Sequence, residues 1–188
     1  LLEFNKAARN VDHPVFQNLR NLFGVENVPS DSGLRKHLDE LNPRRLRPVF
    51  NTLFSKLQRG KVLEGYKYID GHLLISVDGT GFFSSKTVSC KNCYQKNHHD
   101  GSTTYYHQIL CGAIVSPEQK EVFPLAPEPI QNSDGSTKND RERNASMRFF
   151  NDFRREHPHL KTIVLQDALA TNAPYIRYLE EHKLRYIL

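Results

Sequence analysis

Tryptophan is absent from this sequence, methionine occurs once and cysteine three times. Three cysteines and no export signal argue for a reducing compartment and against a disulfide framework. Hydrophobic residues make up only 38% of the chain, yet 11 Phe and 8 Tyr are enough to fill a core. No apolar run approaches the roughly 20 residues that a membrane span needs. The opening Leu1-Leu2-Glu3-Phe4-Asn5-Lys6 lacks the basic and apolar regions of a signal peptide. It also lacks a starting Met, and the chain stops within an apolar stretch at Ile187-Leu188, so both ends read as cuts in a longer protein. A soluble, mixed globular chain without a membrane partner is expected.

The charge is unevenly spread. Residues 1–67 carry 12 Lys/Arg against 7 Asp/Glu, whereas residues 68–188 carry 14 of each, so the whole net charge of +5 sits in the first third. That third contains three amphipathic segments. Pro14 opens one whose apolar residues are Phe16, Leu19, Leu22 and Phe23, and Gly24 ends it. Ser30-Asp31-Ser32 offers capping oxygens to a second, with Leu34, Leu38 and Leu41 on one side. Asn42-Pro43 starts a third, carrying Leu46, Phe50, Leu53, Phe54 and Leu57 up to Gly60. Three such helices can bury one small core, as helix-turn-helix readers do and as inert bundles also do. Arg44, Arg45, Arg47, Lys56, Arg59 and Lys61 are the candidate phosphate contacts, set against the plainer reading of a solvated basic surface. Residues 1–67 are thus expected to be a basic helical segment that contacts DNA.

From residue 72 the pattern changes. Leu73-Leu74-Ile75-Ser76-Val77 is a buried-strand signal that runs into Asp78-Gly79. Strands are expected at 105–115 and 121–125, a helix at 138–156, a strand at 162–165 ending in Gln166-Asp167, a helix at 173–182 and a strand from Leu184. Three consecutive strands can form a meander, and strands that follow helices can add in parallel. That order is the one of an RNase H-like fold, so residues 68–188 are expected to form a mixed α/β sheet of about five strands with helices.

In that order Asp78 and Asp167 each end an apolar strand, although they lie 89 residues apart (167 − 78). Two carboxylates on rigid neighbouring strands can hold Mg²⁺ or Mn²⁺, which prefer oxygen ligands. Divalent ions so held can supply both a strong oxygen nucleophile and relief of charge on a leaving oxygen. The plainer readings are a turn aspartate at 78 and a helix cap at 167. Glu128 is a substitute acid that could approach the same place, and Glu142 reads as a helix first-turn carboxylate. A second metal signal is Cys90-x2-Cys93, followed by His98, His99 and His107. Cys90, Cys93, His98 (or His99) and His107 could hold Zn²⁺ in the loop between the first two strands. Cys111 reads as a core residue.

These residues resemble bacterial insertion-sequence transposases of the DDE type. The likeness is carried by Ser76-Val77-Asp78-Gly79-Thr80, Tyr106-His107-Gln108, Pro124-Leu125-Ala126-Pro127-Glu128-Pro129-Ile130 and Asp134-Gly135-Ser136-Thr137-Lys138-Asn139-Asp140. Glu142-Arg143-Asn144-Ala145 and Gln166-Asp167-Ala168-Leu169-Ala170-Thr171-Asn172-Ala173-Pro174 complete it. Its specificity lies in the run of pieces in order. The resemblance implies a Mg²⁺-dependent enzyme that nicks transposon ends and joins them to target DNA. It also implies action as a homo-oligomer in a bacterial cytoplasm, beside the nucleoid. Asp78 and Asp167 would be the first two acids of the triad, and the third, a Glu, would lie beyond residue 188. Arg141 stands where relatives are expected to carry Cys. Two alternatives accompany this reading: a DNA-binding remnant without catalysis, and an RNase H-like nuclease that does not join strands.

Overall fold

Local capping chemistry sets the leading helices. His13 precedes Pro14, and its Nδ1 accepts the Val15 amide at 3.2 Å, which starts α2 (Pro14–Phe23). Ser30 Oγ accepts the Gly33 amide at 3.1 Å and starts α3 (Asp31–Asp39). A further helix, α1 (Leu2–Arg9), precedes them and has no counterpart in the sequence reading. The computed structural model describes residues 2–135 and 138–188, with backbone only at 138–140. Leu1 lies outside the described residues, as do Ser136 and Thr137 of one stretch that carries the family resemblance.

The chain forms two compact units, Leu1–Arg45 and Leu46–Leu188. The third amphipathic segment, α4 (Arg47–Arg59), falls in the second unit. Its Phe54 is 4% exposed and joins Leu63 and Tyr66 in the core of the sheet. Of the three helices read from the sequence, the third thus contributes to the core of the second unit. In α2 and α3 no residue is fully buried, and Leu22, Phe23, Leu38 and Leu41 are exposed. An amphipathic stripe fixes which face of a helix is apolar but not which partner covers it. The compact-unit boundary accordingly lies ahead of the sequence-based division after residue 67.

The second unit is built on β1 (Leu73–Ser85), β2 (Tyr94–Asn97), β3 (Thr103–Ser116), β4 (Gln119–Pro124), β5 (Glu128–Pro129), β6 (Thr162–Leu165) and β7 (Arg185–Ile187). With α4, two further helices accompany them, α5 (Lys138–Glu156) and α6 (Ala173–Glu181). The sheet runs β2-β3-β1-β6-β7, and β4 and β5 also pair with β3. β3 is antiparallel to β1, whereas β6 is parallel to β1 and β7 to β6. With the short β2 and β5 set aside, the order is third, second, first, fourth, fifth, with only the second strand's direction breaking the parallel set. This is the RNase H-like arrangement expected from the sequence, enlarged from about five strands to seven.

The apolar face of the sheet explains its stability. Ile75 and Val77 of β1, Leu110 and Ile114 of β3, and Val164 of β6 are each at most 3% exposed. They form one cluster with Phe149, Phe150 and Phe153 of α5 and Tyr175 and Leu179 of α6. Burying each such side chain contributes about 1.5–3 kcal/mol. Gly112 of β3 lets α5 approach closely, since a Cβ there would stand 2.4 Å from Cζ of Phe149. Among the described residues no helix is long and apolar enough to cross a membrane.

Candidate functional site

The parallel register of β1 and β6 leads toward the two aspartates. Leu74 pairs with Ile163, Ile75 with Val164 and Ser76 with Leu165, a constant offset of 89 (165 − 76). The same offset relates Asp78 to Asp167 (167 − 78 = 89), two residues past the last paired position. Adjacent strands lie about 4.8 Å apart, and the ladder of β1 with β6 ends at Ser76 and Leu165, two residues before each acid.

The pleat then decides the face. Ile75, Val77 and Val164 point into the helix-covered core. Alternation therefore turns Ser76 and Asp78 of β1, and Leu165 of β6, to the opposite face, while Asp167 lies beyond the end of β6 as the cap of the turn at 168–170. Both aspartates are exposed. Asp78 Oδ1 accepts the Gly79 amide at 2.7 Å, and Asp167 Oδ1 accepts the Leu169 amide at 3.2 Å as it caps the turn at 168–170. These bonds steady the carboxylates while leaving hard oxygen donors on each.

One expectation is corrected at Asp78. The apolar run ends there, but the strand does not: β1 continues to Ser85, paired with β3 down to Tyr105. Its outer half is held by the hydrogen-bonded ladder rather than by burial. Cys111 is also corrected. It is exposed rather than core, and it sits directly opposite Asp78 on β3. Directly opposed residues share a face. Partial desolvation by the surrounding strands, and then the Asp78 carboxylate, push the Cys111 thiol above its ordinary range.

Buried polar contacts support the Asp167 end. Ser146 Oγ and Tyr175 Oη lie 2.6 Å apart, and Tyr175 Oη donates to Gln166 Oε1 at 2.8 Å. Burial pushes Tyr175 up to about 12, so it remains a neutral donor. Arg143 donates to the Leu169 carbonyl at 3.1 Å and ties α5 to the turn after Asp167. None of these links carried a sequence signal, because each joins residues far apart along the chain.

The two glutamates have different surroundings. Glu128 is 1% exposed and pairs with Arg148 at 2.8 Å, and Arg148 also binds Asp134. Glu128 thus fastens β5 to α5. Glu142 packs against Gly79: a Cβ at that glycine would lie 2.6 Å from its Oε1. By the pleat this is the core face of β1, opposite the Asp78 side chain. Arg141, where Cys was expected, donates to the Gly135 carbonyl at 2.8 Å, and its guanidinium lies 4.5 Å from the centroid of the Tyr94 ring.

The basic candidates divide in the same way. Arg44 and Arg45 are exposed in the first unit. In the second, Lys56, Arg59 and Lys61 are exposed. Pro48, Asn51, Thr52, Ser55, Lys56 and Arg59 line one open groove along α4. Arg47 points the other way: its guanidinium meets Glu156 at 2.5 Å and Asp152 at 3.3 Å, with a side chain only 12% exposed.

Of the sulfur and imidazole candidates, three converge. Cys90 Sγ lies 3.2 Å and Cys93 Sγ 3.3 Å from His107 Nε2, and the two sulfurs are 3.6 Å apart. His98 stands outside this cluster, with its Nε2 2.8 Å from Thr104 Oγ1, and His99 is exposed. Burial pushes the Cys93 thiol above its ordinary range.

No family model and no curated protein matches this chain. Two solved structures are similar to it. The catalytic domain of Mos1 mariner transposase is 13% identical, with 79% of this chain and 62% of that one covered and a TM-score of 0.35. A pre-cleavage Mos1 transpososome is 14% identical, with 97% and 53% covered and a TM-score of 0.32. This chain thus spans 62% and 53% of those two chains. Similarity at this level carries no weight for the site, and the fold assignment rests on strand order and direction.

Proposed function

We propose that this chain is part of a DDE-type insertion-sequence transposase that cleaves and rejoins DNA phosphodiesters with divalent metal held by Asp78 and Asp167. One observation carries the reading. The parallel ladder of β1 and β6, with an offset of 89, runs to two residues short of Asp78 and Asp167, and both carboxylates are exposed. The donor set fits Mg²⁺ or Mn²⁺, since both groups offer hard oxygens and both stand at the solvent edge, where an ion can keep several waters. Bound there, such ions activate an oxygen nucleophile and stabilise the leaving oxygen of an in-line displacement.

The chain's own residues do the positioning. Asp78 is fixed by the pairing of β1 with Cys111 of β3, and Asp167 by its capping bond and by the Ser146–Tyr175–Gln166 network one residue away. Neither Ser146 nor Tyr175 serves as nucleophile, because both are at most 1% exposed. The α4 groove, with its hydroxyl, amide and cationic groups, suits contacts to a phosphate backbone without reading sequence. Lys56, Arg59 and Lys61, with Arg44 and Arg45 of the first unit, are the proposed phosphate contacts. The partners are transposon ends, target DNA and further copies of the protein.

The test is metal-dependent nicking and strand transfer by the full-length protein on DNA carrying the element's ends. Asp78→Asn and Asp167→Asn should each abolish nicking and joining while leaving the fold unchanged by circular dichroism. Nicking without joined product would assign a nuclease instead. Undiminished nicking in both variants would remove the proposed site.

A further inference from the structure

The outer part of the sheet has little apolar burial to hold it. Ser84, Gln95, Lys96 and Asn97 are exposed, and the segment from Lys86 to Asn92 has no buried residue. Yet within this segment three metal-binding atoms converge. Cys90, Cys93 and His107 each offer one atom, all within 4.8 Å of one another.

We infer that Cys90, Cys93 and His107 form a zinc site with three protein ligands and a fourth position open to solvent. The site is separate from the aspartate pair and does not depend on the function proposed for it. The edges of the ligand triangle are 3.2, 3.3 and 3.6 Å. A tetrahedral zinc with Zn–S of about 2.3 Å and Zn–N of about 2.0–2.1 Å has ligand edges of roughly 3.5–3.8 Å. The triangle therefore needs to open by only a few tenths of an ångström to hold the ion. Hydrogen bonding alone serves this cluster poorly. A single imidazole nitrogen has one proton or one lone pair, and here it faces two sulfurs.

The backbone supplies a second, independent observation. The Asn92 amide donates to Cys90 Sγ at 3.4 Å, and the Cys90 amide donates to Cys93 Sγ at 3.3 Å. Amides aimed at both sulfurs stabilise negative charge on them, as metal-bound thiolates require. Two thiolates and an imidazole are a soft donor set that selects zinc over magnesium. His98 is committed to Thr104. Cys90 is exposed and His107 half-buried, so the fourth position faces solvent and takes water.

The consequence is mechanical. His107 lies on β3 opposite Phe83, whereas Cys90 and Cys93 lie on the segment leading into β2. A zinc ion there fastens that segment to the strand pair and holds His107 against the rings of Phe82 and Phe83, whose centroids are 5.9 and 5.8 Å away.

The test is anaerobic Co²⁺ titration of the reduced full chain, followed by displacement with Zn²⁺. One equivalent should bind with thiolate charge-transfer absorption and tetrahedral ligand-field bands. X-ray absorption on the zinc form should give two sulfurs, one imidazole nitrogen and one oxygen. Losing an outer-shell partner of a metal ligand costs about 10–100-fold in affinity. Cys90→Ser, Cys93→Ser and His107→Ala should therefore each weaken binding by about 100-fold or more. His98→Ala, and separately Asp78→Asn with Asp167→Asn, should leave it unchanged. Should a ligand variant fail to fold, the wild type still decides: chelation should lower its unfolding temperature and Zn²⁺ should restore it. Folded wild type that shows no thiolate absorption with Co²⁺, or unfolding indifferent to zinc and chelator, would overturn the site. So would dependence on His98 in place of His107.

Discussion

Gly112→Ala tests how α5 is seated on the sheet. A Cβ at this position would stand 2.4, 2.9 and 3.2 Å from Cζ, Cε2 and Cε1 of the Phe149 ring. The ring is 1% exposed, with Phe150 edge-on at 5.0 Å and Phe153 stacked at 6.4 Å, so it cannot turn aside without moving both. Overpacking of a core costs about 1–3 kcal/mol. For a chain of this size each kcal/mol lowers Tm by about 2–4 °C, so a fall of about 2–12 °C is expected by calorimetry. Gly81→Ala is the control, because its nearest neighbour, the His107 carbonyl, would be 3.9 Å away. That change should be neutral or stabilising by up to about 1 kcal/mol. Adding Phe149→Leu to Gly112→Ala should recover part of the loss, with a coupling of about 0.5–3 kcal/mol in the double-mutant cycle. A Gly112→Ala protein unfolding within about 1 °C of wild type would refute the close approach of helix and strand.

Arg148→Met leaves Glu128 and Asp134 buried without their cation and should cost about 3–5 kcal/mol in urea denaturation. Adding Glu128→Gln and Asp134→Asn should restore most of it. Burial lowers the pKa of His157, which packs 4.0 Å from the Phe54 ring; Glu156 opposes that shift and Arg47 reinforces it. The unfolded chain therefore binds more protons than the folded one between the lowered value and about 6.5, and stability falls as pH drops through that window. Tm should decline between about pH 7.5 and 5.5, and His157→Phe should flatten the decline. Lys56→Ala and Arg59→Ala should each reduce the salt dependence of DNA affinity by about one phosphate contact. Arg47→Ala should instead lower Tm, because its guanidinium faces Glu156 and Asp152 rather than solvent.

How much was legible follows from what each element rests on. The strand at Thr162–Leu165 and the helix from Lys138 to Glu156 appear where periodicity put them, because burial holds both. β1 outruns its apolar run because Gly79 to Ser85 are kept extended by pairing with β3, which leaves no hydrophobic trace. β2 was missed for the same reason, as Tyr-Gln-Lys-Asn carries a single apolar side chain. Asp78 and Asp167 were visible as polar residues closing apolar runs, whereas the strand pairing that leads toward both is a property of register. The Cys90–Cys93 pair was visible from its spacing. That His107 joins it while His98 turns to Thr104 depends on the β2–β3 pairing. Arg47 read as one more exposed cation, and its partner Glu156 lies 109 residues away.

Mn²⁺ titration by paramagnetic resonance examines the aspartate pair most directly, in a Cys90→Ser, Cys93→Ser background so that the thiolates take no metal. The expected result is binding that Asp78→Asn and Asp167→Asn each weaken by about tenfold or more. Their effects should be less than additive when combined, because the two groups share one ion. Unchanged Mn²⁺ affinity in both variants, with the fold intact, would contradict a common metal site at these strands.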